Sequence, residues 1–190
     1  MPIPARHERY PFADVLTWDE GEHIEIINGE AFMMATPSSR HQEISMELAR
    51  QLANFLEGKQ CRVYPAPFGV RLFEREGDRP EDDNTMVEPD ISVVCDRSKI
   101  DKHGCKGAPD MIIEILSPST RRHDRLVKLN LYQQAGVREY WIVDPDNQSV
   151  LVFTLGGHVL EIREDYGRED VAKVNVLEGC FIELSKVFPE

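Results

Sequence analysis

The stretch "APDMIIEILSPST", residues 108 to 120, sets Glu114 between Met111-Ile112-Ile113 on one side and Ile115-Leu116 on the other. A short apolar run bounded by Pro109 and Pro118 reads as a strand covered on both faces. An unpaired carboxylate inside such a strand costs several kcal/mol. Glu114 therefore needs a partner, and what that partner is decides how the rest of the chain is read.

A second acid opens the next apolar strand: Asp90 stands at the head of "DISVV". If the two strands are sheet neighbours, both carboxylates converge at one place. Hard cations such as Mg²⁺ are held by one or two carboxylates together with water and phosphate oxygens, so converging acids offset their burial by binding metal. The other reading of Glu114 alone is an ion pair with an arginine, or a half-exposed strand position. Lys128 follows on the next helix, and the connection "SPSTRRHD" is short enough to return it to the strand end, where an ammonium can orient or activate a water. Helix geometry alone favours the plainer alternative, a surface pair of Asp124 and Lys128 at i, i+4. His41, in the first turn of a helix, shares a face with Ile44, Leu48 and Leu52 and so points at the sheet; a structural core histidine has the same pattern. Glu25 and Glu43 are weaker candidates, since solvation or the helix dipole accounts for acids in such positions.

Around these residues the chain alternates strands and helices. "IEIINGEAFMM" from Ile24 to Met34 places apolar residues on both sides of Asn28-Gly29, a tight hairpin signal because both residues tolerate positive φ. In "TPSSRHQEISMELARQLANFLEGK" Ser39 and Gln42 are spaced as a capping box, Ile44, Leu48, Leu52, Phe55 and Leu56 recur at helical spacing, and Gly58 stops the helix. β-rich runs follow at 61–73 and 87–95. A helix from Asp124 to Ala135 closes at Gly136, and "VREYWIVDPDNQSVLVF" reads as strand, turn at Pro145 to Gln148, and returning strand. Residues 159–165 and 180–184 add short edge strands. This order predicts an α/β (α+β) fold in which a mixed central sheet is flanked by helices, with an N-terminal β-hairpin, as one domain over 1–190.

The composition, 41% hydrophobic and 29% charged over 190 residues, is that of an ordinary globular protein, and no window approaches a membrane span. "MPIPARHERY" lacks the basic start and apolar core of a secretion signal, so the expected location is cytoplasmic. Cys61, Cys95, Cys105 and Cys180, scattered without a C-x-x-C pair, are expected as reduced thiols. Cys95, His103 and Cys105 lack the ligand number and spacing of a structural zinc site. A net charge of −12 argues against general affinity for polyanions, so a nucleic-acid site requires a local basic patch, for which Arg121, Arg122, Arg125 and Arg138 are the candidates. The acidic "FEREGDRPEDDN", residues 73–84, reads as a solvated loop.

"EPDISVV" followed by "GAPDMIIEILSPSTRRHDRLVKLNLYQQAGVREYWIVDP", together with "IEIINGE", "PSSRHQ" and "PAPFGVRL", resembles the Uma-two branch of "putative restriction endonucleases" within the PD-(D/E)xK nuclease superfamily, over roughly residues 20 to 155. The resemblance implies a restriction-endonuclease-like fold, with Asp90 and Glu114 as metal ligands, a lysine beside them and His41 close by. The position two after Glu114 is Leu116, where the superfamily pattern has lysine; the resembling branch carries its lysine on the next helix, which matches Lys128. The function so implied is Mg²⁺- or Mn²⁺-dependent hydrolysis of DNA phosphodiester bonds. Asp90, Glu114 and the backbone carbonyl near Ile115 bind the metal, and Lys128 stabilises charge or positions the water. A homodimer is expected because double-strand cutting needs two active sites. The competing expectation is a nuclease fold that no longer cuts and serves as a binding or assembly module, which the acidic net charge favours.

Overall fold

The structure, a computed structural model, describes residues 9–18, 23–117 and 124–188. Strand β9 (Met111–Ile115) is buried at all five positions. It runs parallel to β10 (Glu139–Asp144) and antiparallel to β6 (Ile91–Val94), in the middle of a mixed six-stranded sheet. β11 (Ser149–Gly156) and β12 (Val159–Gly167) extend that sheet beyond β10, and β3 (Arg62–Pro65) closes it beyond β6. Because strand side chains alternate between faces, Met111, Ile113 and Ile115 join one core while Ile112 and Leu116 join the other.

The first face carries α2 (Ser39–Leu56), whose Ile44, Leu48 and Leu52 are fully buried against Ile91, Val93, Ile113 and Trp141. The ribbon of β13 (Val171–Lys173) and β14 (Phe181–Glu183) and the short α4 (Leu184–Val187) complete that layer. On the second face lies α3 (Leu129–Ala135), entered through a π-helical turn at Asp124–Lys128 and ended by Gly136 at φ 85. Its Leu131 and Tyr132 pack with Ile112, Tyr140 and Ile142.

The same face also meets a second six-stranded sheet that the sequence reading did not foresee. Its order is β2 (Glu30–Met33), β1 (Ile24–Ile27), β5 (Met86–Val87), β4 (Val70–Arg71), β8 (Gly104–Lys106) and β7 (Ile100–Asp101). The expected hairpin is its β1–β2 edge, turning through Asn28 and Gly29 at φ 52 and 83. Each of the β-rich runs 61–73 and 87–95 is divided between the sheets, β3 and β6 in one and β4 and β5 in the other. Two-residue strands such as β4 and β5 carry too little periodicity to be told from a continuous strand.

Three further expectations are corrected. The N-cap of α2 is Ser38, whose hydroxyl accepts from the His41 N–H at 3.2 Å; Ser39 is the first helical residue, so no Ser39–Gln42 box forms. Cys61 and Cys95 flank the β3–β6 pairing and are joined in a disulfide, while Cys105 and Cys180 are buried free thiols. The acidic loop 73–84 is not wholly solvated: Glu74 pairs with buried Arg71, and Asp83 is buried beneath α1 (Phe12–Val15), its carbonyl accepting from the Phe12 N–H.

Candidate active site

The β6–β9 ladder ends at the pair Ile91–Ile113, and Asp90 and Glu114 are the next residues beyond that pair on the two strands. The Asp90 carboxylate is anchored at that end of the sheet by the Ile115 N–H, which donates to its Oδ2 at 2.7 Å. Its Oδ1 lies 3.2 Å from Nε2 of His41, which the first turn of α2 delivers with its own backbone N–H tied to the Ser38 cap. His41 thus faces the strand end, as its helix position predicts.

Glu114 projects to the second face, toward α3. Lys128 Nζ donates to Glu114 Oε1 at 2.9 Å, and the Tyr132 hydroxyl donates to the same oxygen at 2.5 Å. Lys128 and Tyr132 are four residues apart and so present side chains on one helical face. The ammonium donates equally, at 2.9 Å, to Oε1 of Glu25 from β1 in the second sheet. That Glu25 oxygen also accepts from the Glu88 N–H at 3.0 Å. Three buried charges from three separate elements therefore meet between the two sheets. Burial and the neighbouring carboxylates of Glu114 and Glu25 hold the Tyr132 hydroxyl well above the usual tyrosine range, so it stays a donor.

The cluster grades toward solvent. Side-chain exposure is 4–5% at Glu25, Glu114 and Lys128 but 13% at Asp90 and His41, so the Asp90 side is the more open one. Glu88 lies at the rim with His23, their side chains 3.2 Å apart. Burial raises the Glu88 carboxyl, against the lowering effect of His23.

Of the residues singled out in sequence, His41 lies against Asp90 and Lys128 against Glu114, and Glu25 joins the second pair, more closely than its pattern suggested. Glu43 is exposed on α2. Tyr132 and Glu88 were not foreseen; the i, i+4 spacing of Tyr132 from Lys128 was the available signal. Arg138 pairs with Asp110, which precedes β9 at the end opposite Glu114, and so contributes no charge to the cluster. Arg121 and Arg122 lie outside the described residues, as do the side chains of Asp124 and Arg125. Cys95 is committed to its disulfide, which removes it from any zinc set.

Among the described residues no three His, Cys, Asp or Glu side chains form a metal cage, and no helix is long and apolar enough to cross a membrane. The acids that could hold a metal at the strand end, Asp90 and Glu114, offer hard carboxylate oxygens, beside the His41 ring nitrogen and the Ile115 N–H. Two such carboxylates suit Mg²⁺, which keeps several waters and needs few protein ligands.

The fold is shared with a crystal structure described as a putative nuclease belonging to DUF820 from Anabaena variabilis ATCC 29413. The TM-score is 0.72 at 20% identity, covering 94% of this chain and 97% of that one. Two curated relatives come from Synechocystis sp. (strain ATCC 27184 / PCC 6803 / Kazusa). Uncharacterized protein slr1290 is 28% identical over 121 residues, 63% of this chain and 60% of that protein. Uncharacterized protein sll1609 is 24% identical over 126 residues, 65% of this chain and 67% of that protein. The matched region thus spans about three fifths of the first of these relatives. A family model described as "Uma2: Putative restriction endonuclease" matches residues 12–185, beyond both ends of the resemblance noted in sequence. With Asp90, Glu114 and Lys128 all inside that span, the chain belongs to the Uma2 family.

Proposed function

We propose that the protein is a metal-dependent endonuclease that hydrolyses DNA phosphodiester bonds at the Asp90–Glu114 strand end. The observation that carries this reading is that Asp90 and Glu114 stand just beyond the last β6–β9 pair, with Lys128 bonded to Glu114. A surface pair of Asp124 and Lys128 would not require the ammonium to be buried, and 4% exposure makes it an expensive ornament unless it acts. Mg²⁺ or Mn²⁺ would be held by Asp90, Glu114 and the Ile115 carbonyl, and it would polarise the phosphodiester and make a water more acidic. The chain's own groups do the rest. His41 and the Ile115 N–H fix the rotamer of Asp90, and Tyr132 fixes that of Glu114. Lys128, donating to two carboxylates, acts as an electrostatic stabiliser of the negative charge that grows on the phosphate, not as a free base. Two copies of the chain would supply the two sites that a double-strand break needs.

A second reading, a nuclease fold retained as a binding or assembly module, is favoured by one specific observation: Glu114 already has cationic and hydroxyl partners without a metal. Incubation with supercoiled plasmid and Mg²⁺ separates the two. The nuclease reading expects nicked and linear products that disappear with EDTA and in Asp90→Asn. Intact plasmid at all Mg²⁺ and Mn²⁺ concentrations supports the module.

A further inference from the structure

Glu25 is assigned no role in this chemistry, yet it holds one of the shortest ionic contacts at the site. We infer that Glu25 is a positioning residue that acts through Lys128, drawing the ammonium partly away from Glu114 so that Glu114 remains available to a divalent cation. The inference rests on the endonuclease reading above and assigns Glu25 no contact with metal or substrate.

Two carboxylates share one ammonium. Lys128 Nζ stands 2.9 Å from Oε1 of both Glu25 and Glu114. A carboxylate paired with a single buried ammonium is largely neutralised, which makes it a poor ligand, because a dication must then displace the amine or bear its repulsion. A second carboxylate on the opposite side divides the ammonium's charge. Glu25 is suited to this by its own anchoring: it sits at 5% side-chain exposure on β1, between the hydrogen-bonded neighbours β2 and β5, and the Glu88 N–H holds the oxygen that faces Lys128. It therefore cannot follow the ammonium toward Glu114, and it fixes where Lys128 rests.

The test is a metal titration in a double-mutant cycle, with Mn²⁺ as the probe and calorimetry as the readout, on full-length protein. Glu25→Gln is expected to weaken Mn²⁺ binding roughly tenfold or more, the scale of one charge-assisted hydrogen bond shifted onto a ligand. In a Lys128→Met background, where no ammonium is left to be drawn away, adding Glu25→Gln is expected to leave the affinity unchanged, within about twofold. If Glu25→Gln unfolds the chain, Glu25→Asp takes its place: the shorter side chain keeps its charge but withdraws from the ammonium, Mn²⁺ binding is expected to weaken, and unchanged affinity overturns the inference. A tenfold loss in the Lys128→Met background overturns the inference, since Glu25 would then be a direct ligand. Unchanged affinity in Glu25→Gln alone also overturns it. Failure of the unsubstituted protein to bind Mn²⁺ removes the endonuclease reading itself and this inference with it, an outcome distinct from the others.

Discussion

Tyr132→Phe isolates one interaction at the candidate site without touching an acid or the lysine. The hydroxyl is fully buried and donates to Glu114 Oε1 at 2.5 Å, and its raised pKa keeps it protonated at any accessible pH. The substitution keeps the ring, including its edge-on contact with Tyr140 at 5.0 Å between centroids, so it creates almost no cavity. A hydrogen bond to a charged group contributes about 1.5–3 kcal/mol, against about 0.5–1.5 kcal/mol for a neutral pair. Glu114 keeps Lys128 on the same oxygen, which places the expected loss at the lower end, about 1.5–2 kcal/mol. For a chain of this size that is a fall in Tm of roughly 3–8 °C. Urea unfolding followed by the fluorescence of fully buried Trp141 measures it, with an unchanged m-value confirming that only stability moved. A loss well below about 1 kcal/mol would show that the Tyr132 hydroxyl does not donate to a charged Glu114 oxygen as the geometry has it.

Thiol titration of the unfolded, unreduced chain is expected to count the two free cysteines, Cys105 and Cys180, and to count all four only after reduction; four without reductant would show that Cys61 and Cys95 are not joined. Gly104→Ala is expected to destabilise strongly, by about 2 kcal/mol or more, because φ is 118 and a Cβ would fall 2.0 Å from the Gly69 carbonyl oxygen between β4 and β8; a Tm within about 1 °C of the parent would contradict that packing. Burial raises the Asp83 carboxyl despite the bond from the Thr85 N–H, so the folded state holds that proton more tightly than the unfolded chain. Its contribution to stability is therefore lost as pH rises through the window from the ordinary aspartate range up to the raised value. Asp83→Asn, which cannot ionise, is expected to gain stability over the parent at neutral pH and to lose that advantage below about pH 4, near the unperturbed carboxyl value; a pH-independent difference would show that desolvation is not the cause.

The parts of this fold that were legible in sequence are those whose signal is local. Asn28-Gly29 marked its hairpin because few residues accept both positive φ values. The apolar face of α2 emerged from Ile44, Leu48 and Leu52, although its cap was misplaced by one residue where Ser38 and Ser39 compete for the role. The second sheet was not legible, because β4, β5, β7 and β8 are two or three residues long and are recognised only by their partners. The Cys61–Cys95 bond needs the β3–β6 register, which no residue type encodes. At the site, Asp90 and Glu114 could be named from their placement in apolar strands, but their position just beyond the last β6–β9 pair depends on register. Lys128 was the least decidable residue: spacing alone favoured Asp124, and only the packing of β1 against α3 brings Glu25 within reach of its ammonium.

If Asp90 and Glu114 hold one divalent cation between them, crystals grown or soaked in Mn²⁺ and measured for anomalous scattering will show a peak at the end of β6 and β9, within roughly 2.0–2.6 Å of a carboxylate oxygen from each residue, the range for hard cations and oxygen ligands. A protein that stays metal-free at millimolar Mn²⁺, with Lys128 still bonded to Glu114, or a peak that includes only one of the two acids, would contradict the shared site.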